Sequence, residues 1–354
     1  SVFVALAPVA AVGAALTLLV VPESRAAVRS RFDRAGLLVS SAGIGVLVYT
    51  VIEGPSAGWL SARSLAGYAA TVVAGLVFVA VERRAADPML DVSLFRVPAF
   101  SAASGSVTIA FFALYGFIFL VTQYMQLLRG WGTLSTGLRI LPVAAAIAVG
   151  SAVSPRVAAR YGSRAVVVGG LVAFGAAFGW IASAAQAQSY VLIAGEMVLM
   201  GLGLGLTTTP ATESILSVLP PAKAGVGSAV NDATREAGGT LGVAVIGSVF
   251  STLYVRHLAG TAMGHLPAAA AAAARRSVGA AEAVAHSFPA PAGRATLVHA
   301  VGTSFMHGFD LACVVCAGVC LLGAVGALRL PGRRVTVSPP AVVAGDEGVA
   351  VAAA

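Results

Sequence analysis

The sequence predicts an all-α integral membrane protein, and three observations carry that prediction. Of its 354 residues 58% are hydrophobic and 10% charged, where soluble domains carry about a quarter charged. Apolar runs recur at close to the roughly 20 residues a helix needs to cross a bilayer. The basic residues collect in alternate connections between those runs. A soluble core cannot hide so much apolar surface from water, so the solvent is lipid. The runs are too long for strands, and they lack the alternation of an outer-membrane barrel.

Nine spans follow in order. The first, about 1–21, is apolar from its opening residues. The second, 36–53, follows the charged string FDRAG and ends at Gly54-Pro55, and the third, 65–81, is short for a span. Four more runs, 100–127, 137–153, 165–184 and 190–209, are separated by brief polar turns. The eighth, 225–254, opens with a polar half holding Asn231, Asp232, Arg235 and Glu236, and the ninth is 306–328. Segment 255–305 is the one long connection. It holds an Ala-rich stretch at 268–283 that suits a short helix, with Pro267, Pro289 and Pro291 breaking up the segment, and all five histidines lie in it or at its edge. Their spacing matches no zinc pattern, which favours solvated polar residues. The tail 331–354, rich in Ala, Gly and Pro, reads as disordered.

Fifteen of the 22 basic residues fall on one side of the membrane, among them Arg25, Arg29, Arg31, Arg34, Arg156, Arg160, Arg164 and Arg329. By the positive-inside rule that side is cytoplasmic. The C-terminus is then inside, the odd helix count puts Ser1 outside, and 255–305 is external. The net charge of +8 is topological, so no nucleic-acid partner is implied. Because Ser1 lies in mid-span, the chain reads as a fragment of a longer protein.

Four strings then stand out together: FDRAG at 32–36, DPMLDVSLFR at 87–96, YMQLLRGWGTLSTGLRILP at 124–142 and PPAKAGVGSAVNDATREAGGTLGVAVIGSVF at 220–250. In this order and spacing they resemble the 14-helix drug:proton antiporters of the major facilitator superfamily, the EmrB/QacA-type exporters. The resemblance implies a major facilitator fold with about nine of fourteen transmembrane helices present. Residues 1–21 would be the last helix of an N-terminal bundle. Residues 22–98 would hold cytoplasmic linkers and two inserted helices, and 99–330 a C-terminal six-helix bundle. It also implies a missing N-terminal bundle as partner, a plasma-membrane location, an amphipathic small molecule as substrate, and a proton gradient as energy source with no cofactor.

Charge inside a membrane needs a reason, since insertion costs about 2.5–3.5 kcal/mol per group. Glu196 and Asp310 both lie in the outer half of their spans. A carboxylate in low dielectric favours its neutral form, so each can take up a proton and release it when the site re-wets. The readings are proton coupling by Glu196 or Asp310 together with Arg139, a wet outer vestibule, or a simple pair with Arg139. Phe111, Tyr115, Phe119, Gln123 and Gln126 step along one helix face from aromatic to amide. Such a face suits an amphipathic cation, and a lipid-facing aromatic stripe reads the same way. Asp232 and Arg235 stand three apart on the eighth span, where their charges can neutralise each other. With Asn231 and Glu236 they form a gate or an interfacial helix start. Gly238 and Gly242 make a GxxxG that lets a neighbouring backbone come close. SPRVAARYGSR at 154–164 resembles the family's signature between adjacent helices, keeping Arg160, Gly162 and Arg164 but lacking its Asp. A tight basic turn is the simpler reading.

Other features lead nowhere. GLGLG at 201–205 sits within a span with no strand before it, so it is no dinucleotide fingerprint. Cys313, Cys316 and Cys320 share a face among Val and Ala, which suits packing rather than a metal. No phosphate-binding GxxxxGK[ST] occurs, and no cluster of reactive groups points to a membrane enzyme. The sequence leaves two functional readings: a proton-coupled exporter of drugs, antibiotics or secondary metabolites by alternating access, or a transport-inactive fragment or accessory subunit.

Overall fold

The computed structural model describes residues 2–20, 33–85, 92–183, 189–219 and 224–332. Among them there is helix and turn and no strand. The helices are α1 (Val2–Val20), α2 (Arg34–Ala57), α3 (Ala62–Arg84), α4 (Pro98–Gln123), α5 (Thr133–Tyr161), α6 (Ser163–Ser183), α7 (Tyr190–Ser217), α8 (Ala224–Ala259), two short helices α9 (Ala268–Ala274) and α10 (Val278–His286), and α11 (Pro291–Ala327). Eight of these, α2 to α8 and α11, are long and apolar enough to span a bilayer. The first expected span, 1–21, forms the 19-residue helix α1.

Helices α4 to α8 and α11 pack into one bundle. Within it α7 lies between α5 and α6, while α4 lies along α8 and also touches α7 and α11. Phe100, Phe174, Phe178 and Phe305 are fully buried within it. Helices α2 and α3 form a pair outside the bundle, and α2 leans on α8, where Ser248 Oγ donates to Val51 O at 2.8 Å.

Glycine explains how these backbones come so close. Along GLGLG, a Cβ on Gly201 would stand 2.5 Å from Val143 O and one on Gly205 2.6 Å from Ile147 O, both on α5. One on Gly203 would stand 2.7 Å from Gly170 O on α6. Alternate glycines therefore let α7 press against two neighbours at once. Gly238 and Gly242 do the same toward α4, with Cβ positions 2.3 Å from Thr108 O and 2.1 Å from Phe112 O. Close packing of this kind is what holds helices together where lipid supplies no hydrophobic drive.

Several boundaries differ from the sequence reading. The short third span lengthens to the 23-residue α3, because Ser61 caps it by accepting from Ser64 N. Residues 154–161, expected as connection, continue α5 until Gly162 ends it at φ +85, a conformation that favours glycine. The long connection shrinks from 255–305 to about 260–290. Helix α8 runs on to Ala259, and Pro291, at the first turn of α11, starts that helix early. At 1.5 Å per residue α11 is about 55 Å long, well beyond a hydrocarbon core of about 30 Å, so His299 belongs to a helix rather than a loop. Helices α9 and α10 bury Ala271, Ala274, Ala281 and Ala285 beside α11 as a small cap. Arg25, Arg29, Arg31, Lys223 and the tail from residue 333 lie outside the described residues.

Candidate functional site

Two clusters draw the sequence candidates together, at different depths of the bundle. The first is an open cavity of about 540 Å³ where α4, α5, α7 and α8 meet. Phe111 and Leu114 line it from α4, Ser151 from α5, Thr208 and Thr212 from α7, and Arg235 from α8, with Glu213 at the same wall. The Arg235 guanidinium stands 5.1 Å from the centre of the Phe111 ring and donates to Thr212 Oγ1 at 3.4 Å. Thr212 donates onward to Asn231 Oδ1 at 3.0 Å. Arg235 Nε is buried with no hydrogen-bond partner. The expected i,i+3 pair does not form: Asp232 is exposed, and among the described residues no ion pair joins it to Arg235. The guanidinium points across to α7 and α4 because Phe111 and Thr212 lie on its side of α8. Glu236 is exposed as well.

The aromatic face of α4 divides. Phe111 lines the cavity and its ring lies 6.1 Å from that of Tyr115. Tyr115 covers Gly239 and Phe119 covers Gly247, both on α8. These two rings remain 38% and 37% exposed, so the face continues onto a surface that no described helix covers. Gln123 Nε2 turns back to Phe119 O at 3.4 Å. Gln126 lies in a wider π-helical turn, Tyr124–Leu128, and is exposed. That turn alters the helical phase, so the polar end of the face does not run straight on.

The second cluster joins α4, α7 and α11. Glu196 on α7 is 2% exposed, and Asp310 on α11 is half-buried, with its Oδ1 sealed from solvent and without a hydrogen-bond partner. The charges of both act on Tyr124 and on Cys313, so the two carboxylates share one neighbourhood. Arg129 reaches the Tyr124 hydroxyl from the end of the π-helical turn. Tyr124 itself stacks on Phe309 with ring centres 5.6 Å apart. Arg139 stands elsewhere: its guanidinium is 4.3 Å from the Trp131 ring centre and 5.6 Å from that of Tyr190, and it bonds Ser135 Oγ. Among the described residues it makes no ion pair with Asp310. Aromatic faces supply negative potential to this guanidinium.

Tyr124 and Arg129 escaped the sequence reading. Tyr124 is off the Phe111 face by one residue, and Arg129 looked like an end-of-helix charge. The string YMQLLR contained both, but only the π-helical turn sets them toward the carboxylates.

The remaining candidates are structural in placement. Gly162 forms the turn between α5 and α6, Arg160 lies over the Tyr161 ring, and Arg164 Nε donates to Leu330 O at 2.6 Å, tying the start of α6 to the end of α11. His257 and His307 stack at 4.7 Å, and His257 Nδ1 meets Ser304 Oγ at 3.0 Å. Among the described residues no three His, Cys, Asp or Glu side chains are grouped to hold a metal. The three cysteines are buried and unpaired with one another.

One membrane bundle thus holds a polar-edged cavity and two acidic side chains, Glu196 buried and Asp310 half-buried. Residues 1–243 match the Major Facilitator Superfamily, and the chain belongs to that family. It is 36% identical over 251 residues to the multidrug resistance protein Stp of Mycobacterium tuberculosis, covering 71% of this chain and 47% of that protein. It is 31% identical over 314 residues to the multidrug efflux pump LfrA of Mycolicibacterium smegmatis, covering 89% and 61%. To the tetracenomycin C resistance and export protein of Streptomyces glaucescens it is 32% identical over 324 residues, covering 90% and 60%. The chain thus spans about half to three-fifths of the length of these curated relatives.

Proposed function

We propose that this chain is the C-terminal part of a 14-helix, EmrB/QacA-type antiporter that exports amphipathic drugs or antibiotics against an inward proton flow. The observation that carries the reading is the coexistence of two sites in one bundle. One is a cavity edged by Phe111 and Arg235, and the other is the Glu196–Asp310 neighbourhood beside Tyr124. Export needs both, a place for substrate and a place for a proton. The printed names of the relatives support the same reading, and their greater length supports an additional N-terminal bundle that would complete the cavity. The uncovered rings of Tyr115 and Phe119 are surfaces such a bundle would meet.

In this mechanism the protein works by alternating access, with two bundles rocking about a midplane site. Substrate enters from the cytosol and lies against Phe111, while the Arg235 Nε offers a donor to any acceptor it carries. Proton uptake at Asp310 from the outside neutralises a buried charge and favours one arrangement. Release to the cytosol restores the other. The electrical part of the driving force is about 2.3 kcal/mol per charge per 100 mV. The plasma membrane is the location, with the end of α11 in the cytosol.

The test is proton-driven transport of a lipophilic cation dye in everted vesicles carrying the full-length gene product. Loss of transport in the Glu196→Gln, Asp310→Asn double variant is the expected result, and unchanged transport removes both residues from the mechanism. The shortness of the chain beside its relatives favours one alternative, an inactive fragment or accessory subunit. Dye transport by this chain expressed alone would reject it.

A further inference from the structure

A second groove, of about 420 Å³, lies on the outside of the bundle between the start of α4 and the end of α11. It is separate from the substrate cavity and shares no lining residue with it. Arg96, from the turn before α4, and Arg329, just after α11, stand at its mouth, and both are exposed. One to two turns deeper come Ser101, Gly105 and Gly326, and deeper still Ile109 and Leu322. The helices run in opposite directions, so each wall leads from an arginine to an aliphatic side chain, over roughly 10 Å from Arg329 to Leu322 on α11, with Ser106 beside Gly105 on α4.

The shape has a simple cause. At the deep end α4 and α11 touch, since a Cβ on Gly323 would stand 2.9 Å from the Ile109 side chain. Nearer the mouth a Cβ on Gly105 or Gly326 would meet nothing within 4 Å. Two missing side chains therefore hold the groove open. Leu322 and Val325 beside it are 72% and 64% exposed, so no described helix covers the groove and it opens toward the hydrocarbon. Among the described residues, both charged side chains that line it are cationic.

We propose that this groove binds an anionic phospholipid of the leaflet at the C-terminal end of α11. The phosphate would sit between Arg96 and Arg329, with an acyl chain lying along Gly105 and Gly326 toward Ile109 and Leu322. Charge complementarity at the mouth and an apolar trough opening to the bilayer together select this occupant. Basic sites between helices at a membrane surface recognise such headgroups, and phosphate and guanidinium match geometrically. The inference needs only that the chain sits in a membrane, and it stands apart from the efflux reading.

The experiment is native mass spectrometry of the purified chain in zwitterionic detergent, titrated with dioleoyl phosphatidylglycerol or dioleoyl phosphatidylcholine. Wild type should retain phosphatidylglycerol in preference. Arg96→Gln with Arg329→Gln should weaken that retention roughly thirty-fold, about fivefold per arginine, and abolish the preference. Both side chains are exposed, so this variant leaves the fold intact. Gly105→Leu, which fills open space, should lower retention of either lipid. Glycerol 3-phosphate at equal concentration should not compete. Equal retention of the two lipids by wild type, an unchanged preference in the double arginine variant, unchanged retention in Gly105→Leu, or competition by glycerol 3-phosphate each overturns the proposal.

Discussion

Asp310 and Arg235 present opposite electrostatic problems, and each makes a prediction. An acid with a sealed, unpartnered oxygen destabilises the fold by about 1–3 kcal/mol where it stays unsatisfied. Asp310→Asn keeps the shape and removes the charge. Its melting temperature in detergent should therefore match or exceed wild type, while proton-driven transport is lost. A clear fall in melting temperature would mean that the carboxylate has a structural task. Arg235 has a buried donor, Nε, at a cavity wall. Arg235→Met keeps much of the stem and removes every donor. A hydrogen bond to a charged group contributes about 1.5–3 kcal/mol, so the Kd of a transported acceptor-bearing drug should rise about tenfold or more in a fluorescence titration. A drug without an acceptor should bind as before.

At the scale of elements, helix contacts depend on the absence of side chains. Gly242→Val would put a carbon 2.1 Å from Phe112 O, which forces α8 away from α4. Overpacking of this kind typically costs about 1–3 kcal/mol, and early loss of the folded peak on heating and gel filtration is the expected readout. Gly169→Ala on α6 is the control. Nothing lies within 4 Å of its Cβ, and the exchange should raise stability by about 0.5–1 kcal/mol. The cap of α9 and α10 has its own sensitivity. Burial pushes the Glu282 carboxyl above the ordinary carboxylate range, and His286 pulls it partly back. A raised folded value means that Glu282 favours the cap at low pH, and that this contribution is lost as pH rises through that value. Cleavage of 260–290 by an added protease should therefore increase as pH rises from the acid side. Glu282→Gln should flatten the profile.

The whole molecule is an asymmetric object. One six-helix bundle is packed on its inside, α2 and α3 lean on one side of it, and a row of rings on α4 is left open. The orientation can be tested without transport. In intact cells protease added outside should cut between α8 and α11, and a tag after residue 330 should stay protected until the cells are opened. The reverse pattern would invert the topology and move the α11 end, with Arg329 and the lipid groove, to the outer leaflet.

How much was legible in the residues differs by level. Composition and the lengths of apolar runs determined that this chain lives in lipid, because burying a peptide group in hydrocarbon leaves helix as the available answer. The glycine pairs on α8 were readable as contacts, since GxxxG has a fixed helical phase. Helix ends were less so: α8 and α11 run on past the hydrocarbon thickness over residues whose polarity masks the helix. The site was the least legible. That Glu196 and Asp310 share a neighbourhood with Tyr124 and Arg129, that Arg235 turns to Thr212 and Phe111 instead of Asp232, and that Arg139 settles among aromatic rings were decided by packing alone. Residues more than a hundred positions apart meet only when helices choose their neighbours and their rotation. A local pattern specifies which face of a helix is apolar, and the tertiary structure specifies what that face meets.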